Sequence, residues 1–169
     1  MKKLLSMVVL TTSVLFAHAQ DNASQSLPNT VVKDVKNGKK IPFNKIVTPG
    51  RVTVVSFWAT WCVPCKKEIK NISKALPSWK EKADFDYVTV SIDEARAEGI
   101  MNTYAVSQGW EFPYYLDANS DLKRSLNFQS VPFTLIVDKE GKITWRHIGY
   151  EEGGENEVLA KLEELSPKK

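Results

Sequence analysis

The stretch that decides the fold reads Arg51-Val-Thr-Val-Val-Ser-Phe-Trp-Ala-Thr-Trp-Cys-Val-Pro-Cys65. Residues 51–59 are nearly all apolar or β-branched, which predicts a strand buried on both faces. Beyond the cysteines, apolar side chains recur every three or four residues, the period of an amphipathic helix, at Ile69, Ile72, Leu76 and Trp79. The cysteines therefore lie where a buried strand is expected to meet the start of a helix.

This position gives the two cysteines different chemical settings. Cys62 falls at the expected helix start, where unpaired backbone N–H groups favour a thiolate. Cys65 lies one turn further on the same face. One sulfur of such a pair can attack a disulfide, and the other can resolve the mixed disulfide that results. Pro64 suits the first helical turn, and Trp61 is expected to shield the pair on one side. We predict a redox-active disulfide.

Two other uses of a cysteine pair fit less well. As a structural crosslink, a bond across four residues is worth only about 2 kcal/mol on the chain-entropy model. As zinc ligands, the two thiolates fall short of a four-ligand structural site, because His147 is the only histidine beyond the first 19 residues. No metal and no cofactor is predicted.

The N-terminus has the three parts of a secretory signal. Met1-Lys-Lys is basic, residues 4–16 are mostly apolar, and Ala17-His-Ala19 offers a small-x-small cleavage site. The apolar run is shorter than the roughly 20 residues of a membrane-spanning helix. We predict a signal peptide over residues 1–19, a flexible leader over 20–29 and one folded domain over 30–169. The mature protein is expected to be periplasmic and not inserted in the membrane.

Charge and composition exclude some partners. The chain has 169 residues and a formal net charge of +3, which falls to +1 when Lys2 and Lys3 leave with the signal peptide. Lysines and arginines are interspersed with acids, whereas a nucleic-acid-binding protein carries a basic patch or stripe. We expect no nucleic-acid partner, and we expect a monomer.

The rest of the chain alternates predicted strands and helices. Asn37-Gly38 is typical of a tight turn between two extended segments over residues 31–46. Pro77 is expected to end or kink the helix that follows the cysteines. Further strands are predicted over 85–92, 114–117, 134–138 and 143–148, and further helices over 95–108, 120–126 and around Val158, Leu159, Leu162 and Leu165. This order implies an α/β fold with a mixed central sheet.

The segment Phe57-Trp-Ala-Thr-Trp-Cys-Val-Pro-Cys65 resembles the active-site signature of thioredoxin-like proteins. Over residues 30–165 the chain is similar to the exported TlpA/ResA-like branch, whose features include an N-terminal extended pair and a helical insert. The resemblance implies a thioredoxin-like central sheet flanked by helices. It also implies dithiol exchange with protein thiols and disulfides, apocytochrome thiols among them, and recharging by a membrane thiol electron donor.

The resemblance also assigns residues outside the cysteine pair. Ser130-Val-Pro132 is similar to the segment where the family places a cis-proline opposite the cysteines. It implies that Val131 offers its backbone to an extended peptide and that Pro132 keeps that edge open. Phe133 departs from the threonine that many relatives carry, which alters the surface expected to meet the substrate.

Of two acidic positions of the family, one is replaced here and the other is kept. The buried aspartate of cytosolic thioredoxins is replaced by Ser56, which cannot accept a proton as a carboxylate does. Glu68 matches the glutamate that the ResA-like branch carries three residues after the second cysteine. The resemblance makes Glu68 a candidate catalytic residue that raises a thiol pKa and shuttles a proton. The alternative is a solvated glutamate among Lys66, Lys67 and Lys70.

Several functions compete for this site. The leading interpretation is a reductase of exported protein disulfides. An oxidant of the DsbA type usually carries a larger helical insert, and a thiol peroxidase does not need the paired cysteines. A copper-handling module would draw on His147, and a plain binding module would use the fold as a scaffold. Cu(I) binding by the reduced protein separates the copper hypothesis from exchange activity.

Overall fold

Strand β4 (Val52–Trp58) is the centre of the sheet, and all its residues are buried. The computed structural model describes residues 25–168, so the predicted signal peptide and residues 20–24 of the leader lie outside the described residues. The other strands are β1 (Gln25–Ser26), β2 (Val31–Asp34), β3 (Lys40–Pro42), β5 (Phe85–Ser91), β6 (Tyr114–Leu116), β7 (Phe133–Val137) and β8 (Lys142–Ile148). The α-helices are α1 (Val63–Lys82), α2 (Glu98–Ser107), α3 (Asp121–Ser125) and α4 (Glu155–Leu165).

The strands form one sheet in the order β1-β8-β7-β4-β5-β6-β2-β3. β4 pairs in parallel with β5, and β5 in parallel with β6. The remaining pairs are antiparallel, including β4 with β7 and β7 with β8. The sheet is therefore mixed, and the predicted thioredoxin-like α/β class is confirmed.

Helices cover both faces of the sheet. α1 and α4 pack on one face, where Ile72 and Trp79 meet Val158 and Leu162. On the opposite face, α3 contributes Leu122 to a core that contains alternate residues of β4, β5 and β7. A third cluster lies at the end of β4, where α2 meets the start of α1. Because parallel strands β4 and β5 end at the same edge, the loops that follow them lie side by side there.

The helix after the cysteines does not end at Pro77. α1 continues through this residue to Lys82, so of the two predicted effects, an end or a kink, the end was wrong. Proline removes one backbone hydrogen bond. On either side of it, Ile72 and Trp79 are buried against the sheet and α4. Tertiary packing of an apolar face supplies most helix stability in proteins, and here it outweighs the local cost.

Strand pairing at the sheet edges differs from expectation in two places. Gln25 and Ser26, within the segment predicted as a flexible leader, pair with Ile143 and Lys142 of β8. They cover backbone groups that an edge strand leaves unpaired. At the opposite edge, β3 ends at Pro42 and a 3₁₀ turn over Phe43–Lys45 replaces the rest of the predicted extended segment.

Across residues 25–168, no helix combines the length and apolar character that crossing a membrane requires.

Candidate active site

The two cysteines are joined by a disulfide at the N-terminus of α1. Cys62 is the N-cap residue, and its sulfur accepts a hydrogen bond from the backbone N–H of Cys65 at 3.3 Å. The Cα atoms are 5.3 Å apart, as the helical spacing predicts. Cys62 is 4% exposed and Cys65 is 0% exposed, so Cys62 is the sulfur nearer to solvent. Pro64 lies in the first turn, where its missing N–H leaves no bond unmade.

A cis peptide bond lies beside the disulfide. The Val131–Pro132 bond is cis, which confirms the prediction for this segment. The Cys62 sulfur lies 3.7 Å from the carbonyl oxygen of Val131. The Pro132 carbonyl accepts a hydrogen bond from the Gly149 N–H at 2.8 Å, which joins the start of β7 to the end of β8. The geometry therefore puts the Val131 backbone next to the more accessible sulfur.

Two apolar side chains project into solvent around Cys62. Trp61 is 67% exposed and Val63 is 71% exposed. Isolated exposed apolar residues are common, but these two flank Cys62, whose sulfur lies beside the half-buried Val131. Together they give the surface around the disulfide an apolar character that suits a polypeptide ligand.

Asp93 is a site residue that the sequence analysis missed. It is 4% exposed, and its carboxylate accepts hydrogen bonds from the Thr60 backbone N–H at 2.8 Å and the Thr60 hydroxyl at 2.9 Å. The Ser91 hydroxyl also donates to it at 2.6 Å. Asp93 thus holds the active-site turn, residues 59–62, from the loop after β5. A polar residue two positions beyond the end of a strand parallel to β4 was the available signal.

Glu68 is buried, so the alternative of a solvated glutamate was wrong. Its side chain is 3% exposed, and Oε1 accepts a hydrogen bond from the Thr134 hydroxyl at 3.0 Å. Within the described residues, Oε2 is buried without a hydrogen-bond partner. Burial raises the pKa of Glu68 to about 7; the Thr134 hydrogen bond opposes this rise and the charge of Glu155 adds to it. Glu68 therefore changes charge near neutral pH, one helical turn after Cys65.

Ser56 also takes part in this buried polar region. Its hydroxyl lies 3.2 Å from that of Thr134, and it accepts a hydrogen bond from Tyr87 at 3.2 Å. The position that carries aspartate in cytosolic thioredoxins therefore still lies in a polar network, and the carboxylate of that network is Glu68 on α1.

The helical insert closes the other side of the site. The ring centroid of Trp58, at the end of β4, lies 5.0 Å from that of Trp110 and 5.6 Å from that of Tyr104 of α2.

His147, the histidine that a copper module would use, lies 3.6 Å from Glu157 of α4. In the part of the chain that the structure describes, no three His, Cys, Asp or Glu side chains are grouped to hold a metal ion.

Fold and site together define a class of protein. A Cys-x-x-Cys disulfide at a helix start, next to a cis-proline in a mixed sheet, is the arrangement of a thioredoxin-type thiol–disulfide oxidoreductase. The profile of the Redoxin family matches residues 22–162, and the chain belongs to that family.

Named relatives agree with this class. A thiol-disulfide oxidoreductase ResA of Bacillus cereus is 27% identical over 140 residues, which are 83% of this chain and 76% of that protein. ResA of Bacillus subtilis (strain 168) is 29% identical over 116 residues, 69% of this chain and 62% of that protein. The enzyme is therefore a thiol–disulfide oxidoreductase, a class that acts on protein thiols and disulfides.

Solved structures show the same fold. An uncharacterized thioredoxin-like protein from Porphyromonas gingivalis is 38% identical, with a TM-score of 0.74 over 83% of this chain and 91% of that one. A putative thiol:disulfide interchange protein DsbE from Chlorobium tepidum is 22% identical, with a TM-score of 0.67 over 82% of this chain and 96% of that one. The latter likeness concerns the fold alone.

Proposed function

We propose that this protein is a reductase of protein disulfides that works outside the cytoplasm. The observation that carries the reducing direction is the burial of Glu68 one turn after Cys65. An ionised carboxylate near a thiol pair disfavours the thiolate and raises the thiol pKa. Strong oxidants such as DsbA depend on an unusually stable thiolate in the reduced form. A thiol pair next to a buried acid lacks this stabilisation of the thiolate. Its reduced form therefore favours giving electrons to a client disulfide.

The two cysteines take successive roles. The Cys62 thiolate attacks one sulfur of a client disulfide, forming a mixed disulfide and releasing the other client sulfur as a thiolate. The Cys65 thiolate then attacks the Cys62 sulfur, which frees the second client sulfur and closes the Cys62–Cys65 disulfide. Two electrons pass to the client. Glu68 takes the proton of the Cys65 thiol before this second attack and returns it when the disulfide is reduced again.

The client binds as an extended segment beside the disulfide. Val131 presents its backbone next to Cys62, with the carbonyl oxygen 3.7 Å from the sulfur. An extended peptide gains main-chain hydrogen bonds at such an open backbone edge. Because Pro132 has no backbone N–H, it cannot form a hydrogen bond that would occupy this open edge. The exposed Trp61 offers an apolar contact to the client side chains.

Location and partners follow from the N-terminal signal and the resemblance. Residues 1–19 act as the signal peptide, residues 20–29 as a leader that joins the sheet at Gln25, and residues 30–169 as the catalytic domain. The exported protein works as a monomer. It receives electrons from a membrane thiol donor, and apocytochrome thiols, the clients of cytochrome c biogenesis, are one substrate class.

A redox titration tests the direction of electron flow. We expect the Cys62–Cys65 pair to have a potential close to the roughly −270 mV of thioredoxin, or lower. A potential near the approximately −120 mV of DsbA would assign the protein to the oxidants instead. Cell fractionation with N-terminal sequencing tests the location. A mature chain that begins at Gln20 outside the cytoplasm is expected, and an unprocessed cytoplasmic chain rules out export.

A further inference from the structure

Three buried hydroxyl groups lead across the sheet to Glu68. Tyr87 on β5, Ser56 on β4 and Thr134 on β7 come from three adjacent strands, and we call them the hydroxyl row. Tyr87 donates to Ser56 at 3.2 Å, the Ser56 and Thr134 hydroxyls are 3.2 Å apart, and Thr134 donates to Glu68 Oε1 at 3.0 Å. Tyr87 is 4% exposed, and the other two members are 1% exposed or less.

The protons of the hydroxyl row all point the same way. A hydroxyl group has a single proton to donate. The Thr134 proton is used on Glu68 and the Tyr87 proton on Ser56, so the proton between Ser56 and Thr134 comes from Ser56. Each hydroxyl therefore donates toward the carboxylate. In a chain of hydrogen bonds each bond polarises the next, so the last donor is strengthened by those behind it.

We propose that the hydroxyl row sets the proton affinity of Glu68, with Tyr87, Ser56 and Thr134 as positioning residues that act through this carboxyl group. This inference rests on the proposed function for its consequence in thiol exchange. The row stabilises the ionised form of Glu68, because every donor in it is directed at the carboxylate. It thereby lowers the pH at which Glu68 exchanges its proton and opposes the effect of burial.

Burying hydroxyl groups in this sheet does not by itself produce such a row. Thr89 is the direct neighbour of Ser56 on β5 and is 0% exposed, yet among residues 25–168 its hydroxyl has no hydrogen-bond partner. The Thr53 hydroxyl on β4 is likewise buried and has no hydrogen-bond partner among these residues. The three linked hydroxyls are thus a specific arrangement, and it ends on the one buried carboxylate of α1.

Groups outside the hydroxyl row also influence Glu68, and none of the variants in the test replaces them. Glu155 of α4 adds a negative field, and it accepts a hydrogen bond from Tyr150 at 2.7 Å. Asn71 of α1 donates to Tyr150 at 2.6 Å. Cys65 precedes Glu68 by one turn. Burial holds the pKa of Tyr87 far above its ordinary value, so Tyr87 keeps its proton as a donor at working pH.

The experiment uses the oxidised protein, in which neither cysteine titrates. The Glu68 carboxyl is followed against pH by ¹³C NMR, with Glu68→Gln identifying its signal. Tyr87→Phe keeps the ring that packs at 4.8 Å from Phe112 and removes only the far hydroxyl. We expect the proton affinity of Glu68 to rise about threefold, as loss of cooperative polarisation implies.

Two further variants and a matched control complete the test. Thr134→Val removes the direct donor and should raise the proton affinity roughly tenfold or more. Ser56→Ala should give an intermediate rise in the proton affinity of Glu68. It replaces Thr134→Val in the comparison if that variant does not fold. Tyr114→Phe is the control, because Tyr114 is also buried and donates to Asn102 at 2.8 Å, outside the row. It should leave Glu68 unchanged.

The outcomes separate this inference from the proposed function. A Glu68 midpoint that is the same in Tyr87→Phe and wild type, while Thr134→Val moves it, overturns the row and leaves a single hydrogen bond. A midpoint that moves equally in Tyr87→Phe and Tyr114→Phe also overturns it, because the effect is then not specific. If the midpoint moves but thiol alkylation of the reduced protein does not follow, the row stands and the role of Glu68 in exchange fails.

Discussion

The carboxylate of Asp93 accepts a hydrogen bond from the backbone N–H of Thr60 at 2.8 Å, across 33 positions of sequence. This contact ties the loop after β5 to the turn that carries Trp61 and Cys62. It is a partly buried hydrogen bond from the main chain to a carboxylate, and such charge-assisted bonds are among the stronger kinds in proteins. The orientation of the first cysteine therefore depends on a residue of the loop after β5.

Replacing Asp93 by alanine should destabilise the protein by about 1–3 kcal/mol, because it leaves the partly buried Thr60 N–H and the buried Ser91 hydroxyl without this acceptor. Asp93→Asn keeps an acceptor oxygen and should cost less. Asp86→Ala is the control, since the Asp86 contact with Arg51 is a partly exposed ion pair and is worth at most about 1 kcal/mol. The free energy of unfolding in urea checks this. Equal losses for Asp93→Ala and Asp86→Ala would refute a special role for the Asp93 contact.

The buried carboxyl of Glu68 predicts a pH dependence of stability. Its pKa is about 7 in the folded protein against the ordinary 4.5, so the folded state binds the proton more tightly. The contribution is complete below about pH 4.5 and is lost as the pH rises toward 7. Each pKa unit corresponds to about 1.4 kcal/mol, which gives a total loss of about 3 kcal/mol.

Unfolding of the oxidised protein between about pH 4 and pH 8 measures this effect. The free energy of unfolding of the wild type, minus that of Glu68→Gln, should fall across that range. The glutamine variant lacks the titrating group and serves as the reference. A difference that is flat with pH would mean that Glu68 ionises in the folded protein as it does in the unfolded chain.

Glu68→Gln should also change the reduced protein. Removing the charge should lower the apparent pKa of the Cys62 nucleophile. Exchange should slow by up to about a hundredfold, because proton transfer then passes to water. Alkylation rate against pH, at low and at high salt, reports both effects. Because Glu68 is 3% exposed, salt should alter the shift little. Coincident profiles for the two proteins would remove Glu68 from the catalytic site.

Replacing Pro77 by alanine is expected to stabilise the protein. Proline in a helix interior is about 3 kcal/mol less favourable than alanine, although it also restricts the unfolded chain by up to about 1 kcal/mol. Pro77 is exposed, so Pro77→Ala should stabilise the protein by about 1–2 kcal/mol without changing its redox potential. Lys74→Ala, on the same helix, is the control. An unchanged or lower midpoint of unfolding would show that α1 needs the geometry of proline.

The sequence predicted the parts of the site that are close together along the chain. The Cys-x-x-Cys pair at a helix start follows from local pattern, and the cis bond before Pro132 and the choice of Glu68 as a candidate follow from the resemblance. The contacts that support them do not appear in any local pattern. Asp93 meets Thr60 across 33 positions and Ser56 meets Thr134 across 78, so only the strand order brings them together. The pairing of Gln25 likewise depends on an edge strand more than a hundred residues away.

In the proposed mechanism Cys62 attacks the client and Cys65 resolves the mixed disulfide. Trapping with a client protein distinguishes the two roles. Cys65→Ser leaves the attacking sulfur without its resolving partner, so a disulfide-linked complex with the client should accumulate and be visible on a non-reducing gel. Cys62→Ser should trap none, because the remaining Cys65 sulfur is fully buried. A complex that accumulates with Cys62→Ser and not with Cys65→Ser would contradict the assignment.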